Sequence, residues 1–281
     1  MERPVSARSL TKDWRIALRV TPLIVATALA KLGIDRIGWD TVQLNPLHTG
    51  LVAGNIFLVG FLLAGTLGDY KESERLPGEL AARAETIADE CEILYREAGS
   101  DAARACLEQV ATFARSLNGW LHGSTTLEAP LDAIDGFNDH FLAFQPLTQP
   151  NFIVRLKQEQ AVLRLLVFRV NTIKETSFVG AGYVIAWIAS LLLVIALVIA
   201  DFAAIGAELF LVCAITFVVA YLVLLIRDLD DPFDYDQNGK RGSAEVSLVP
   251  LERLERRVAE KLRRLNDARR DGSTNGGVVQ S

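Results

Sequence analysis

The stretch that decides the fold is TGLVAGNIFLVGFLLAGTL, residues 49–67, which contains no charged side chain. A helix needs about 20 apolar residues to cross the hydrocarbon layer of a bilayer. Two further stretches are uncharged over a similar length, Phe178 to Ala200 and Leu209 to Ile226. Backbone in lipid must satisfy its own hydrogen bonds, so only helices or a closed barrel cross it. Barrel strands would be about 10 residues long and would alternate in polarity. These runs are longer and do not alternate, so each reads as a membrane helix. Ile16 to Ile34 is a fourth apolar run, interrupted by Arg19, Thr21, Pro22 and Lys31. Arg19 and Lys31 lie near its ends, where long basic side chains can snorkel to headgroups. The same run, with Ala28-Leu29-Ala30 behind it, also fits a cleaved signal peptide, and both readings deliver the chain to Thr49 from the outside.

Charge sets the expected orientation. The stretch up to Arg19 carries Arg3, Arg8, Lys12 and Arg15; the approach to the third run carries Arg155, Lys157, Arg164, Arg169 and Lys174; the tail after Ile226 is also basic-rich. Between the runs, Asp35 to His48 has only Arg36, and Asp201 to Glu208 has no basic residue. The positive-inside rule then places both termini and the central region in the cytoplasm. The expected fold is an all-α integral membrane protein of the cell (inner) membrane, with four transmembrane helices in two hairpins and a cytoplasmic helical region between them. The divisions fall at a cytoplasmic N-terminus (1–15), a first hairpin (16–68), the cytoplasmic region (69–177), a second hairpin (178–226), an acidic segment with a charged amphipathic helix (227–271) and a polar tail expected to be disordered (272–281).

Within the central region, Leu80, Ala84, Ile87, Cys91 and Leu94 recur at helical spacing and form an apolar stripe ended by Gly99. Leu107, Val110, Ala114 and Leu117 form a second stripe. A short helix from Leu131 to Phe144 groups Ile134, Phe137, Phe141 and Phe144. From Phe152 nothing breaks a helix before about Ala200, which would make it roughly 70 Å long. Leu251, Leu254, Val258, Leu262 and Leu265 line one face of a charged helix, suited to docking on its own protein, to a coiled coil or to a membrane surface.

Several classes of function are disfavoured. The net charge of −5, with no domain-wide basic surface, argues against nucleic acid as a partner. No nucleophile turn, phosphate loop or Cys/His metal cluster is visible, so the chain is not read as an enzyme. Cys91, Cys106 and Cys213 suggest no disulfide framework. The one cofactor pattern is acidic: Asp234, Asp236, Asn238 and Glu245 stand at positions one, three, five and twelve, with Gly239 at six. That is the spacing of a calcium loop, whose oxygen ligands converge around a turn that glycine permits. An acidic, turn-rich exit from the membrane, with its aspartates solvated or paired to basic neighbours, explains the same residues. In the second run, Ala53, Gly60, Ala64 and Gly68 share a face, which allows close helix packing. Alternatively, Asn55, Ile56, Phe57, Gly60, Phe61 and Ala64 line a pore, with Phe57 and Phe61 as an apolar constriction that gates by dewetting. Asn55 is then either wetted or bonded to a neighbouring helix.

This layout resembles the bestrophin-like membrane proteins. Gly65-Thr66-Leu67-Gly68-Asp69-Tyr70-Lys71-Glu72 occupies the place of that family's exit from the second helix, Arg164 to Lys174 leads into the third, and Asp231-Pro232-Phe233 with the stretch Glu245 to Leu251 resembles the acidic region after the fourth. The resemblance implies a homo-oligomer in the lipid bilayer, a pentameric anion (chloride) channel whose second helices surround the pore. It also implies that acidic residues after the fourth helix can hold calcium. With Tyr70 as anchor, Ile56, Gly60 and Ala64 fall at the constriction; one residue of slip puts Phe57 and Phe61 there. A non-conducting scaffold that recruits a partner through its cytoplasmic helices is the second expectation.

Overall fold

In a computed structural model the chain is described at residues 7–39, 42–43, 46–175, 180–201, 205–233, 235 and 245–275. Those residues are helical apart from turns and two two-residue strands. The helices are α1 (Ala7–Ile37), α2 (Pro46–Ala98), α3 (Asp101–Leu121), α4 (Glu128–Asp135), α5 (Phe137–Phe144), α6 (Pro150–Glu175), α7 (Gly180–Val198), α8 (Ile205–Asp230) and α9 (Val249–Asn275). The chain divides into two compact units, one of residues 1–70 and 177–232, the other of 71–176 and 233–281.

In the first unit, three helices are long and apolar enough to cross a bilayer: α1 over Ile16–Ile37, α2, and α8 over Glu208–Asp230; α7 is shorter in its described part. α1 packs against α8, and α7 packs on both α8 and α1. The connections explain part of this. β1 (Val42–Gln43) follows α1 and β2 (Ala200–Asp201) follows α7, and they pair in parallel, Val42 opposite Ala200 and Gln43 opposite Asp201. That bridge ties the loop between α1 and α2 to the loop between α7 and α8. The core is apolar in two clusters, one around Val59, Leu62, Ala186, Val223 and Ile226, the other around Leu193, Leu197, Val212 and Val219.

Lys31 corrects the expectation of snorkelling. Its side chain is buried, donates to the Ala200 carbonyl at 2.5 Å, and pairs with Asp35 at 2.9 Å and with Glu208. Lys31 lies near the end of one helix and Glu208 in the first turn of another, so the contact fixes α1 and α8 as antiparallel neighbours. An ammonium with two carboxylates in reach has no need of the headgroups.

The second unit is built the opposite way. α2 does not stop at the unit boundary but continues to Ala98, with Pro77 interrupting its hydrogen-bond ladder by one bond. Gly99, at φ +61, closes it and its N–H bonds the Tyr95 carbonyl at 2.8 Å, the left-handed terminus that glycine adopts without a Cβ penalty. The stripes read from the sequence are the core: Leu80, Ala84, Ile87, Cys91 and Leu94 of α2 and Leu107, Val110, Ala114 and Leu117 of α3 are all buried. Cys91 and Cys106 meet there as thiols; a hydrogen bond between them and burial push the Cys106 thiol well up.

The helix expected over Leu131–Phe144 is two helices, α4 and α5, broken at Gly136. Two glutamines cause the break. Gln109 Nε2 donates to the Ala133 carbonyl and Gln160 Nε2 to the Ile134 carbonyl, each at 2.7 Å. Gly136 carries no Cβ where the Gln109 amide lies. Phe137, Phe141 and Phe144 remain together in the core. α9 docks on its own chain, against α3, through buried Leu251, Leu254, Val258 and Leu265. It runs on to Asn275, which corrects the start of the tail expected to be disordered from residue 272. Arg257 pairs with Glu85 at 2.7 Å and Lys261 with Asp89 at 2.6 Å and with Glu92. Whether α6 and α7 are one long helix falls on residues 176–179, outside the described residues.

Candidate functional site

Within the first unit, α2 has two unlike faces. Asn55, Val59, Leu62 and Thr66, spaced by four, three and four, are buried. Ala53, Phe57, Gly60 and Ala64, spaced in the same way, are exposed. One helix thus buries a polar stripe with two hydrocarbons and turns small and aromatic residues outward. In water that pattern is inverted. Each buried polar group has a partner: the Asn55 amide and the Ser190 hydroxyl of α7 exchange bonds at 3.4 Å, and the Thr66 hydroxyl donates to the Leu62 carbonyl at 3.0 Å. Asn55 is therefore an interhelical hydrogen-bond partner and is withdrawn from the pore-lining set, because it lies on the face of α2 opposite Gly60 and Ala64.

The other candidates stand together on the outward side. Phe57 is 76% exposed and Phe61 65%, with Ile56 at 45% on the opposite edge. Gly60 and Ala64 lie between them and are exposed. A Cβ built on Gly50, Gly54, Gly60 or Gly68 would meet nothing within 4 Å. These glycines are consequently not demanded by packing inside this chain. No charged side chain occurs on α2 from Pro46 to Gly68; Asp69, Lys71 and Glu72 follow at once.

The calcium spacing is reached only at one end. Asp234, Asp236 and Asn238 lie outside the described residues, and Glu245 is half-buried. Among the described residues no group of three or more His, Cys, Asp or Glu could hold a metal ion. The chain on either side of that segment is tied down. Phe233 and Val246 are buried, the Tyr235 hydroxyl donates to the Val246 carbonyl at 2.7 Å, and the Tyr235 ring lies 5.2 Å from that of His122. Two details escaped sequence reasoning. Nothing local in the sequence joins Tyr235 to His122. The Lys31 cluster also went unseen, although a lysine inside an apolar run is a recognisable signal that a carboxylate lies near it in space.

No protein-family model matches the chain, and no curated protein matches it by sequence. Solved structures do match it. A bacterial bestrophin homolog from Klebsiella pneumoniae, carrying a tyrosine-to-alanine substitution, superposes with a TM-score of 0.70 at 14% identity, covering 90% of this chain and 99% of that one. A tryptophan-to-alanine variant of the homolog gives 0.74 at 13% identity over 89% and 98% of the two chains. A third structure of the homolog gives 0.72 at 13% identity over 89% and 97%. The chain has a bestrophin-like fold.

Proposed function

We propose that this protein is a membrane-embedded subunit of a homo-oligomeric anion channel, with Ile56, Phe57, Gly60, Phe61 and Ala64 of α2 lining the ion pathway. The observation that carries this reading is the outward face of α2. It is uncharged, its glycines contact nothing in their own chain, and its phenylalanines stand free. A cyclic assembly would cover that face with other copies of itself, and the bestrophin-like fold makes a pentamer the natural assembly. Phe57 and Phe61 then form an apolar constriction that closes by dewetting. Four spans, α1, α2, α7 and α8, with both termini and residues 71–176 in the cytoplasm of a cell (inner) membrane, agree with the distribution of basic residues.

The test is anion flux from purified protein in liposomes. Chloride flux is expected, and absence of flux over a range of pH and salt would reject the channel. The lining is tested by Phe57→Cys and Phe61→Cys in a Cys213→Ala background. A charged thiol reagent should block both, and block of neither would move the pathway off this face. The second reading, a scaffold that recruits a partner, draws on the second unit. Gln145, Thr148, Ile153 and Val154 line a hollow there of about 610 Å³. Capture of a partner by protein that passes no ions would favour it.

A further inference from the structure

Away from the exposed face of α2, the first unit has a groove between α1, α7 and α8 with about 250 Å³ of free space. Arg19 of α1 and Arg227 of α8 line one end of it; both are exposed, and neither has a hydrogen-bond or ion-pair partner among the described residues. Beyond them the walls are apolar, with Leu23, Trp187 and Val223 among the lining side chains. Thr216, also in the lining, is fully buried and its hydroxyl has no hydrogen-bond partner. α1 and α8 are antiparallel, since Lys31 near the end of one meets Glu208 in the first turn of the other. Arg19 and Arg227 accordingly share the end away from that ion cluster.

We propose that this groove binds an anionic phospholipid, its phosphate held by Arg19 and Arg227 and one acyl chain laid along the apolar walls. Three arguments choose this occupant. From Thr216 to Arg227 α8 rises about 16 Å, close to the hydrocarbon depth of one leaflet, half of about 30 Å. Two guanidiniums in a groove whose lining holds no carboxylate call for an anion, and phosphate oxygens accept their forked N–H donors. A helix of a second copy is about 10 Å across, too wide for a groove with about 250 Å³ of free space. A free anion would engage the arginines and leave the apolar walls uncovered. The basic end also lies on the side that the positive-inside rule assigns to the cytoplasm, where anionic headgroups attract Lys and Arg. This inference rests on the membrane-spanning reading and not on conduction.

The experiment uses the full chain with Trp14→Phe and Trp39→Phe, which leaves Trp187 in the groove and the buried Trp120 of the second unit as constant background. The protein is reconstituted in phosphatidylcholine vesicles containing a minor fraction of lipid with brominated acyl chains, either phosphatidylglycerol or phosphatidylcholine. Trp187 should be quenched several-fold more effectively by the brominated phosphatidylglycerol. Arg19→Gln with Arg227→Gln should erase the preference, and the corresponding lysine variants should keep most of it. Ala220→Phe, which fills the groove and leaves both arginines, should also erase it and serves if the glutamine variant does not fold. Equal quenching by the two headgroups in the parent protein overturns the proposal, as does a preference that survives both the glutamine and the filling variants. Displacement of the lipid by soluble glycerol phosphate would assign the site to free phosphate and overturn it too. Protein that fails to enter vesicles at all would instead overturn the membrane reading.

Discussion

Two lysines carry nearly the same chemistry in different surroundings. Lys31 in the first unit meets Asp35 and Glu208; Lys261 in the second meets Asp89 and Glu92. The Lys31 side chain is 1% exposed and its partners 19% and 5%; the Lys261 side chain is 13% exposed and its partners 55% and 12%. Lys261 staples the charged face of α9 to α2 beside water. Lys31 joins α1 to α8 where little solvent reaches. The units differ in the same sense throughout. In the second, Phe137, Phe141 and Phe144 are buried and the ion pairs stand outside; in the first, Phe57 and Phe61 are exposed and the ions lie inside. The contrast runs the same way for rings and for charges: the second unit keeps aromatic rings in and ions out, and the first does the reverse.

The largest test of that contrast is Lys31→Met. It strands Asp35 and Glu208 with no cation between them, at a cost of about 3–5 kcal/mol. Thermal unfolding in detergent should register a large drop in midpoint, whereas Glu208→Gln, which leaves a balanced Lys31–Asp35 pair, should cost much less. Equal losses would mean that the cluster is wetted. Next is the aromatic comparison. Phe141→Ala opens a cavity in the second unit and should cost about 3–5 kcal/mol. Phe57→Ala removes a ring that touches little and should change the stability of the chain by no more than about 0.5 kcal/mol, while altering ion flux if the proposed pathway is right. A Phe57→Ala protein that unfolds as early as Phe141→Ala would show that α2 is covered within its own chain.

Smaller effects separate helix breaking from packing. Gly136→Ala pushes the Gln109 amide off the Ala133 carbonyl and should cost about 1 kcal/mol, one hydrogen bond. Gln109→Ala combined with Gly136→Ala should cost no more than Gln109→Ala alone. The smallest is Lys261→Met, at most about 1 kcal/mol, the value of a solvent-facing pair. Burial works against the Lys261 ammonium, but hydrogen bonds to Asp89 and Glu92 outweigh it and hold its pKa above the ordinary value. A raised lysine contributes its full stabilisation below the unfolded value, about pH 10.4, and loses it as pH rises through the folded value. The unfolding midpoints of parent and Lys261→Met proteins should therefore converge as pH is taken above about 10. A gap that stays constant to higher pH would remove the ion pairs as its cause.

Much of the second unit was legible in advance, for a local reason. Leu80, Ala84, Ile87, Cys91 and Leu94 repeat with the period of a helix facing an apolar core in water, so the pattern names the buried face. The split at Gly136 was not legible, because Gln109 and Gln160, which take the carbonyls there, arrive from α3 and α6. In the first unit every face of α2 is apolar or small, and hydropathy cannot rank one above another. Asn55 is ambiguous in the sequence for that reason, readable as wetted or as bonded, and the Ser190 hydroxyl opposite it decides for the bond.

By itself the sequence determined that long uncharged stretches form helices and which residues make the core of the second unit; it did not show that α1 begins at Ala7 or that α2 runs unbroken to Ala98. What it determined follows from hydrophobicity and periodicity, which neighbours along the chain carry. The tertiary structure alone decided that α1 lies against α8, that Lys31 is paired with Glu208, and that Gly50, Gly54, Gly60 and Gly68 of α2 are not packed against the rest of the chain. Those depend on partners far off in sequence, and a helix apolar all round gives no local signal of which side its neighbours will take.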